Sequence, residues 1–473
     1  MLIRHSLLYI VAKLVPGLLG TLTTAVLTRL LAPSQYGRYG IALVTMTFLS
    51  SFAFDWLGLA YLRSAQQDRD NPVVASTFVR LFGAVAGLTA LCGLLALGLG
   101  AFSPEEAPLA AIGLVMAWAY SWFELTSRLQ IAALRPGRYL FMNCGRALFI
   151  LLGAGGAAWL TRDPAGAAIG TACGTLAGAL LGGRPRLRGF DPVLARSALL
   201  FGLPLAASLT LASLVNSGTR ALLGSMGSLE ALGLYTAGFV LMQNTLGVIA
   251  AGVSSASYTL AVRAVDSGDA EAARRQLLAN GSLLLAVLAP AALGMALTAH
   301  GIAVATVGPD YVEAVAALGP WMAVGAFFAG FRAHYLDHAF QLGRRAPLQI
   351  VVTGLAAAIT LLLSLWLIPT QGAIGAAMAV AVAMAVSCLH AIWAGRRAYP
   401  LPLPADAAWR IVLACALMGL CVMLVPGSGI ARLLVQVALG AAVYGAACLA
   451  LDVLGLRSRL LPGSGRQLVA GAL

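Results

Sequence analysis

Residues 27–43 read LTRLLAPSQYGRYGIAL, a short polar turn that joins two long apolar stretches. Part of this stretch recurs later in the chain, because YGRYGIAL at 36–43 is echoed by LGLYTAGF at 232–239. The two copies lie 196 residues apart. A repeat at such a distance predicts a fold built from two similar halves.

Further residue pairs extend this repeat over most of the chain. They are Pro16 with Pro204, Arg29 with Arg220, Arg63 with Arg263, Glu124 with Arg332, and GAAIGTA at 166–172 with GAIGAAMA at 372–379. The separations drift from 188 to 208 residues, as insertions in loops would produce. Six spans per copy would give both halves the same orientation, related by an axis along the membrane normal. Transporters of this design bind substrate between their halves and alternate by rocking one half against the other.

Composition places the chain in a membrane. Of its 473 residues, 60% are hydrophobic and 10% are charged, and the mean hydropathy is +0.90. A soluble domain carries about a quarter charged residues. Windows of about 20 apolar residues predict fourteen membrane helices, so the predicted fold class is an all-α polytopic membrane protein. The predicted spans are 7–31, 38–61, 73–101, 108–132, 140–160, 165–182, 198–222, 233–257, 277–299, 315–340, 347–368, 372–394, 408–425 and 430–453.

The basic residues predict the orientation of these spans. The chain has 30 Lys and Arg against 17 Asp and Glu, a net charge of +13. With the N-terminus in the cytoplasm, 21 arginines fall on cytoplasmic segments and 5 on the outer side. This distribution follows the positive-inside rule and puts both termini in the cytoplasm. The sequence has no basic patch with aromatic partners, so a nucleic-acid partner is not expected.

The spans and the repeat divide the chain into four predicted parts. These are an N-terminal six-helix lobe at 1–183, a cytoplasmic linker at 184–197, a C-terminal six-helix lobe at 198–396, and an extra helix pair with a cytoplasmic tail at 397–473. The first apolar run is predicted to be a span rather than a cleaved signal peptide. Lys13 interrupts it, and no small-x-small cleavage site follows.

Three stretches carry a family resemblance: LTRLLAPSQYGRYGIAL at 27–43, FGLPLAASLTLASL at 201–214 and the GAAIG-type start of span six. They resemble the polysaccharide transporter family, the oligosaccharide flippases of the multidrug/oligosaccharidyl-lipid/polysaccharide exporter superfamily. The resemblance covers nearly the whole chain. It implies two six-helix lobes in a V shape around a cationic cavity, followed by the extra helix pair.

The resemblance also implies a function. Such proteins move an undecaprenyl-diphosphate-linked oligosaccharide, the repeat unit of O-antigen, capsule or exopolysaccharide, across the bacterial inner membrane. The partners that it implies are bilayer lipids, a polysaccharide polymerase and chain-length machinery. The family often has an acidic residue before the arginine that ends span seven, whereas this chain has Thr219. A role for that acidic–basic pair is therefore not carried over.

Four arginines are candidate ligands of a diphosphate. Arg29 and Arg220 end equivalent spans on the outer side without an acidic partner nearby in sequence, and Arg146 and Arg332 lie deeper within spans. A guanidinium group presents a planar fork of donors that suits diphosphate oxygens. The charges within and beside the spans therefore favour an anionic cargo.

Other charges within the spans predict ion pairs or coupling groups, because a charge in a membrane is costly and is seldom without a role. Lys13 and Asp55 lie at similar depth in spans one and two and predict a salt bridge. Glu124 has two candidate partners, which are Arg128 one turn away on the same helix face and Arg146 in the next span.

The stretch FRAHYLDHAF at 331–340 concentrates ionisable side chains in span ten. They are Arg332, His334, Asp337 and His338. The two histidines have a spacing that can bind zinc, but no third ligand follows at a recognisable spacing, so neither a metal nor another cofactor is predicted. The cluster predicts either a structural network or a site for proton or sodium coupling. The sequence leaves open whether it faces the cleft or packs inside its own lobe.

Two other function classes compete with a flippase. A cation-coupled multidrug antiporter of the same superfamily would favour carboxylates in its cavity, because its substrates are cationic. A membrane polysaccharide polymerase or glycosyltransferase would need a sizeable soluble loop or a metal-binding Asp-x-Asp. The outer connectors are short, and the one Asp-x-Asp, at 68–70, lies in a short inner loop. The chain is therefore predicted to be a transporter and not an enzyme.

Overall fold

The computed structural model describes residues 2–67, 71–100, 107–183, 185, 187–266 and 269–457. It describes the backbone alone at 2–13, 67, 203–204, 255–259, 263 and 266. The described part of the chain forms helices joined by short connectors, and it contains no strand. The predicted all-α class is confirmed.

Eighteen α-helices follow one another in the described ranges. They are α1 Leu2–Leu30, α2 Pro33–Leu49, α3 Asp55–Gln67, α4 Pro72–Gly98, α5 Ala107–Ala132, α6 Pro136–Thr161, α7 Pro164–Leu180, α8 Pro192–Ser213, α9 Thr219–Met226, α10 Leu229–Phe239, α11 Thr245–Asp266, α12 Ala270–Leu297, α13 Ala299–Thr306, α14 Val312–Phe331, α15 His338–Leu342, α16 Ala346–Gly395, α17 Ala405–Met423 and α18 Gly429–Ala450. Proline begins five of them and is the second residue of α16, positions where its missing amide donor costs nothing.

Four π-helical turns continue one helix into the next. They join α2 to α3 at Ser50–Phe54, α8 to α9 at Leu214–Gly218, α10 to α11 at Val240–Asn244, and α14 to α15 at Arg332–Leu336. A π-helical turn often marks a functional site. The first π-helical turn ends directly before Asp55, and the last begins at Arg332. Two of the four turns therefore adjoin charged residues that the sequence places within membrane spans.

The helices have the length and composition of membrane spans. Among the described residues, ten helices can cross a membrane, or eleven when the bent pair Pro192–Gly202 and Leu205–Met226 is one span. Helix α16 has 50 residues, more than one span needs, and its backbone turns at Gly372 with φ 54°. Glycine adopts this left-handed conformation readily. The multi-pass prediction is confirmed, whereas the count of fourteen, the V shape and the cytoplasmic termini stay predictions.

Small residues hold the first half together along α6 and α7. Gly153 and Gly170 are so close that a methyl group on either would overlap the carbonyl of the other. Gly174 lies in the same way against the backbone of Phe149. Such close backbone approach through small residues is typical of helix pairs in membranes. The GAAIG stretch at 166–170, at the start of span six, therefore contributes to the packing of α7 against α6.

Helix α8 contacts both halves of the molecule. It continues through a π-helical turn into α9, and this helical segment bends by 43° between Pro192–Gly202 and Leu205–Met226. Before the bend, Gly202 packs against the ring of Trp56 in α3. After it, Gly218 in the π-helical turn meets Leu361 of α16. The predicted domain boundaries stay a prediction, and α8 joins the two halves.

Candidate functional site

The two halves meet where α2 crosses α10. Gly37 and Gly233 lie at this crossing, and both are buried. A methyl group on Gly37 would overlap the carbonyl oxygen of Leu229, and one on Gly233 would overlap that of Pro33. Gly37 and Gly233 are 196 residues apart, and so are Pro33 and Leu229. The contact is therefore self-complementary, like the interface of a twofold dimer.

Buried tyrosines surround the crossing. The rings of Tyr36 and Tyr39 are 5.6 Å apart, and Tyr311 meets Tyr36 edge-on at 6.0 Å. The Tyr39 hydroxyl lies 3.0 Å from Thr171 Oγ1. The Tyr311 hydroxyl donates to the carbonyl of Leu31 at 2.9 Å. This last hydrogen bond joins the two halves, because Leu31 follows α1 and Tyr311 precedes α14.

A second contact between the halves lies at the end of α13. The Gly308 amide donates to Thr28 Oγ1 at 3.0 Å, and a methyl group on Gly308 would overlap the Thr28 carbonyl. Arg29 donates to the carbonyls of Ala25 and Thr306, both at 2.8 Å. Arg29 therefore bridges α1 to the second half.

The contacts at Gly37, Gly233 and Gly308 are together called the outer seal, because the predicted orientation places this end on the outer side of the membrane. At each glycine an added methyl group would overlap backbone atoms of the other half. The halves are therefore closed tightly at this end.

Arg220 is enclosed behind the outer seal. It is 6% exposed, its Nε donates to the carbonyl of Asn216 at 3.2 Å, and its guanidinium carbon lies 4.8 Å from the centre of the Phe239 ring. Tyr235 and Tyr36 are its other neighbours. Among the ion pairs of the described residues, none includes Arg29 or Arg220.

A cluster of charges in the first half surrounds a small cavity. Arg128 Nη2 lies 3.8 Å from Glu124 Oε2. Asp55 joins these two residues in lining a cavity of about 20 Å³. Arg146 lies over the ring of Phe123, 4.4 Å from its centre. Of the two candidate partners of Glu124, Arg128 therefore makes the ion pair.

The span-ten cluster packs inside the second half. Arg332 Nη1 donates to Ser387 Oγ at 2.6 Å, and its Nε is 3.9 Å from Asp337 Oδ2. Gln349 donates to the same carboxylate oxygen at 3.5 Å. The side chains of Arg332 and Asp337 are 11% and 7% exposed. Because Ser387 and Gln349 belong to α16, this helix face is turned towards its own half.

The remaining predicted residues are placed as follows. His338 is buried, and the carbonyl of His334 accepts a hydrogen bond from Ser254 at 3.4 Å. In the described ranges, no group of three His, Cys, Asp or Glu side chains could hold a metal ion. The Lys13 side chain lies outside the description, so its salt bridge with Asp55 stays a prediction. The roles of all these residues in cargo binding or coupling also stay predictions.

Replacing Arg332 by alanine is expected to lower stability by about 3 kcal/mol. The substitution leaves Asp337 buried without its cation. A lower unfolding temperature of the purified protein in detergent reports this loss of stability. The double variant Arg332→Ala/Asp337→Asn should recover most of the lost stability, since it also removes the unpaired charge of Asp337. If the double variant instead lost the sum of the two single losses, the two side chains would not be coupled.

Gly37, Gly233 and Gly308 are not among the site residues that the sequence predicts. A signal for the first two was present, because both stand in the repeated motif. The repeated motif predicts two similar halves, but it does not show that the halves touch at the motif itself. Gly308 stands outside the motif and gives no such signal.

Comparison with known proteins shows the fold. No protein-family model matches the chain, and no curated protein matches it. Among solved structures, the lipid II flippase MurJ in an inward closed conformation has a TM-score of 0.75 and 12% identity, covering 93% of this chain and 98% of that one. An inward-facing multidrug resistance MATE transporter of the MOP superfamily has a TM-score of 0.64 and 14% identity, covering 82% and 97%. An outward-facing MATE transporter of the MOP superfamily also shares the fold, with a TM-score of 0.54 and 14% identity, over 84% of this chain and 94% of that one. The chain therefore shares its fold with MurJ and with MATE transporters.

Proposed function

We propose that the protein is a flippase that moves an undecaprenyl-diphosphate-linked oligosaccharide across the bacterial inner membrane by alternating access. The observation that carries the proposal is the pair Arg29 and Arg220. Arg29 donates to Thr306 and Arg220 neighbours Tyr36, so both lie at the interface between the halves, and no ion pair among the described residues includes either. Two cations without acidic partners at a moving interface suit a diphosphate. The fold shared with a lipid II flippase supports the same reading.

The enclosure of Arg220 would couple cargo binding to opening of the outer seal. A ligand shifts a conformational equilibrium only when it binds the two states differently. With the seal closed, Arg220 is 6% exposed and faces aromatic rings. Separating α2 from α10 would uncover it. A diphosphate that reaches Arg220 in the open state would therefore stabilise that state.

A multidrug antiporter is the second candidate, since MATE transporters share the fold. Its cationic substrates would need carboxylates at the interface, where this chain has arginines. Proton or sodium coupling belongs to either proposal. The carboxylates Asp55 and Glu124 around the small cavity and Asp337 in the second half are the groups that would serve it. A polymerase or glycosyltransferase activity is not proposed, because the structural neighbours are transporters.

Transport by the purified protein in vesicles separates the two candidates. We expect a lipid-linked oligosaccharide to become accessible to an enzyme added outside, at a rate that depends on the protein. We expect no protein-dependent efflux of a cationic dye driven by a proton or sodium gradient. Dye efflux without movement of the lipid-linked sugar would overturn the flippase proposal and establish the antiporter. Deleting the gene and identifying the lipid-linked intermediate that accumulates would show which cargo the protein moves. The same intermediate would show whether the cargo is used by a polymerase or chain-length machinery.

A further inference from the structure

Two turns meet at the predicted cytoplasmic end of the second half. The first lies between α15 and α16, and the second follows α16. A methyl group on Gly343 in the first turn would meet the backbone of Ala398 in the second. One on Gly395 would meet the Ala339 side chain at 3.1 Å. The two turns are therefore packed against each other, although they are some fifty residues apart in sequence.

Four arginines stand on these turns. Arg344 and Arg345 are on the first, Arg396 and Arg397 are on the second, and all four are exposed. None of them takes part in an ion pair among the described residues. The nearest carboxylate after α16 in sequence, Asp406, is paired with Arg410 at 3.3 Å. Four like charges on touching turns repel one another, so the patch favours an anion.

Aromatic side chains place this patch at the depth of lipid headgroups. The guanidinium of Arg397 lies 4.1 Å from the centre of the Trp393 ring. Trp393 and Trp409 are each 53% exposed, and they end α16 and begin α17. Exposed tryptophans at helix ends are typical of the membrane–water interface. Arg396 and Arg397, one turn beyond Trp393, therefore reach the level of the phosphates. The packing of Gly343 against Ala398 brings the turn that carries Arg344 and Arg345 to the same place.

A small crevice of about 30 Å³ lies beside the second turn, and Arg396 is the one of the four arginines that lines it. Arg396 and Tyr399 are its polar residues, and Ile392, Leu401 and Leu403 are among its apolar ones. Leu389, one helical turn before Trp393, is 69% exposed and continues the apolar surface along α16. Polar and apolar groups thus follow one another in the order of a phospholipid, with the headgroup first and the acyl chain next.

We propose that Arg344, Arg345, Arg396 and Arg397 form a binding site for the headgroup of an anionic phospholipid from the cytoplasmic leaflet. Guanidinium groups recognise the phosphate, and the exposed side chains of Trp393 and Leu389 contact the glycerol and the start of the chains. A soluble phosphate compound would not use the apolar part of this surface. The inference does not depend on the cargo or on the proposed function.

Retention of phosphatidylglycerol through detergent extraction tests the site. The protein is reconstituted in phosphatidylcholine with a minor fraction of phosphatidylglycerol, and the lipids that remain bound are counted by mass spectrometry. The cluster variant changes all four arginines to glutamine. The control variant carries Arg135→Gln, Arg196→Gln, Arg274→Gln and Arg275→Gln, four exposed arginines predicted on the same face. Both variants lose four positive charges, so they differ only in where on the protein the charges are removed.

We expect the cluster variant to retain roughly tenfold less phosphatidylglycerol, at unchanged phosphatidylcholine, and the control to stay near the parent protein. Equal losses in both variants would show a diffuse surface field and would overturn the site. So would displacement of phosphatidylglycerol by millimolar inorganic phosphate, which would identify a soluble anion as the ligand. If the cluster variant does not fold, the half-cluster variants Arg344→Gln/Arg345→Gln and Arg396→Gln/Arg397→Gln must each lose part of the retention.

Discussion

Alanine at Gly37 is expected to force the outer seal open. The added methyl group would overlap the carbonyl oxygen of Leu229, and a backbone atom cannot rotate away as a side chain can. Overpacking of this kind costs about 1–3 kcal/mol, which changes the ratio of closed to open molecules roughly 5- to 150-fold. Gly233→Ala should act in the same direction, because it meets Pro33 in the symmetric contact.

Cysteine labelling from the outer side measures this shift. Thr24 is 3% exposed and lies next to Tyr36, so Thr24→Cys reports on the seal in a variant that lacks the seven native cysteines. Its rate of reaction with a membrane-impermeant maleimide should rise in Gly37→Ala. Gly20→Ala is the matched control, since a methyl group there meets no atom within 4 Å. An unchanged rate in Gly37→Ala, or an equal rise in Gly20→Ala, would falsify the role of the seal.

Removing both Arg29 and Arg220 is expected to abolish most transport of the lipid-linked oligosaccharide. Each charge-assisted hydrogen bond contributes about 1.5–3 kcal/mol, so loss of two contacts to a diphosphate lowers the transport rate roughly 100-fold at the lower bound. Arg29→Gln and Arg220→Met are suitable substitutions. Methionine replaces the buried Arg220 side chain with an apolar one that fills much of the same space.

Vesicle assays at matched protein amounts give the readout. Arg432→Ala is the control, because Arg432 also lies at a predicted outer helix end but belongs to α18, where its Nε donates to the Val425 carbonyl. Lysine at both positions should restore part of the activity, since it keeps the charge and loses the planar fork. Normal transport by the double variant, present at the normal level, would remove diphosphate binding from the proposal.

The sequence predicted the symmetry of this fold but not the contact that the symmetry makes. YGRYGIAL and LGLYTAGF were visible as copies. Hydrophobic periodicity identifies a membrane helix, but a helix that is apolar on all sides does not show which face meets a partner. Whether Gly37 and Gly233 face lipid, their own half or each other depends on packing between positions that are 196 residues apart in sequence.

The sequence likewise does not show which partner each charged residue within the spans contacts. Sequence depth alone placed Glu124 within reach of both Arg128 and Arg146, and the side-chain direction around α5 and α6 decides for Arg128. Arg332 was equally consistent with the cleft and with its own half. The π-helical turn at Arg332–Leu336 shifts the register of the helix face there, and a pattern with a period of 3.6 residues cannot anticipate that shift.

The bend in α8 has a mechanical consequence. Gly202 in α8 packs against Trp56, and Gly218 in the turn after α8 packs against Leu361. Trp56 and Leu361 belong to different halves. When the halves rotate, the 43° angle between the two helix segments must change, or one of these contacts must break. Bending this segment then costs elastic energy, and that cost contributes to the energy difference between the two end states. A change in the stiffness of the segment would alter the populations of the two states while leaving every cargo contact in place.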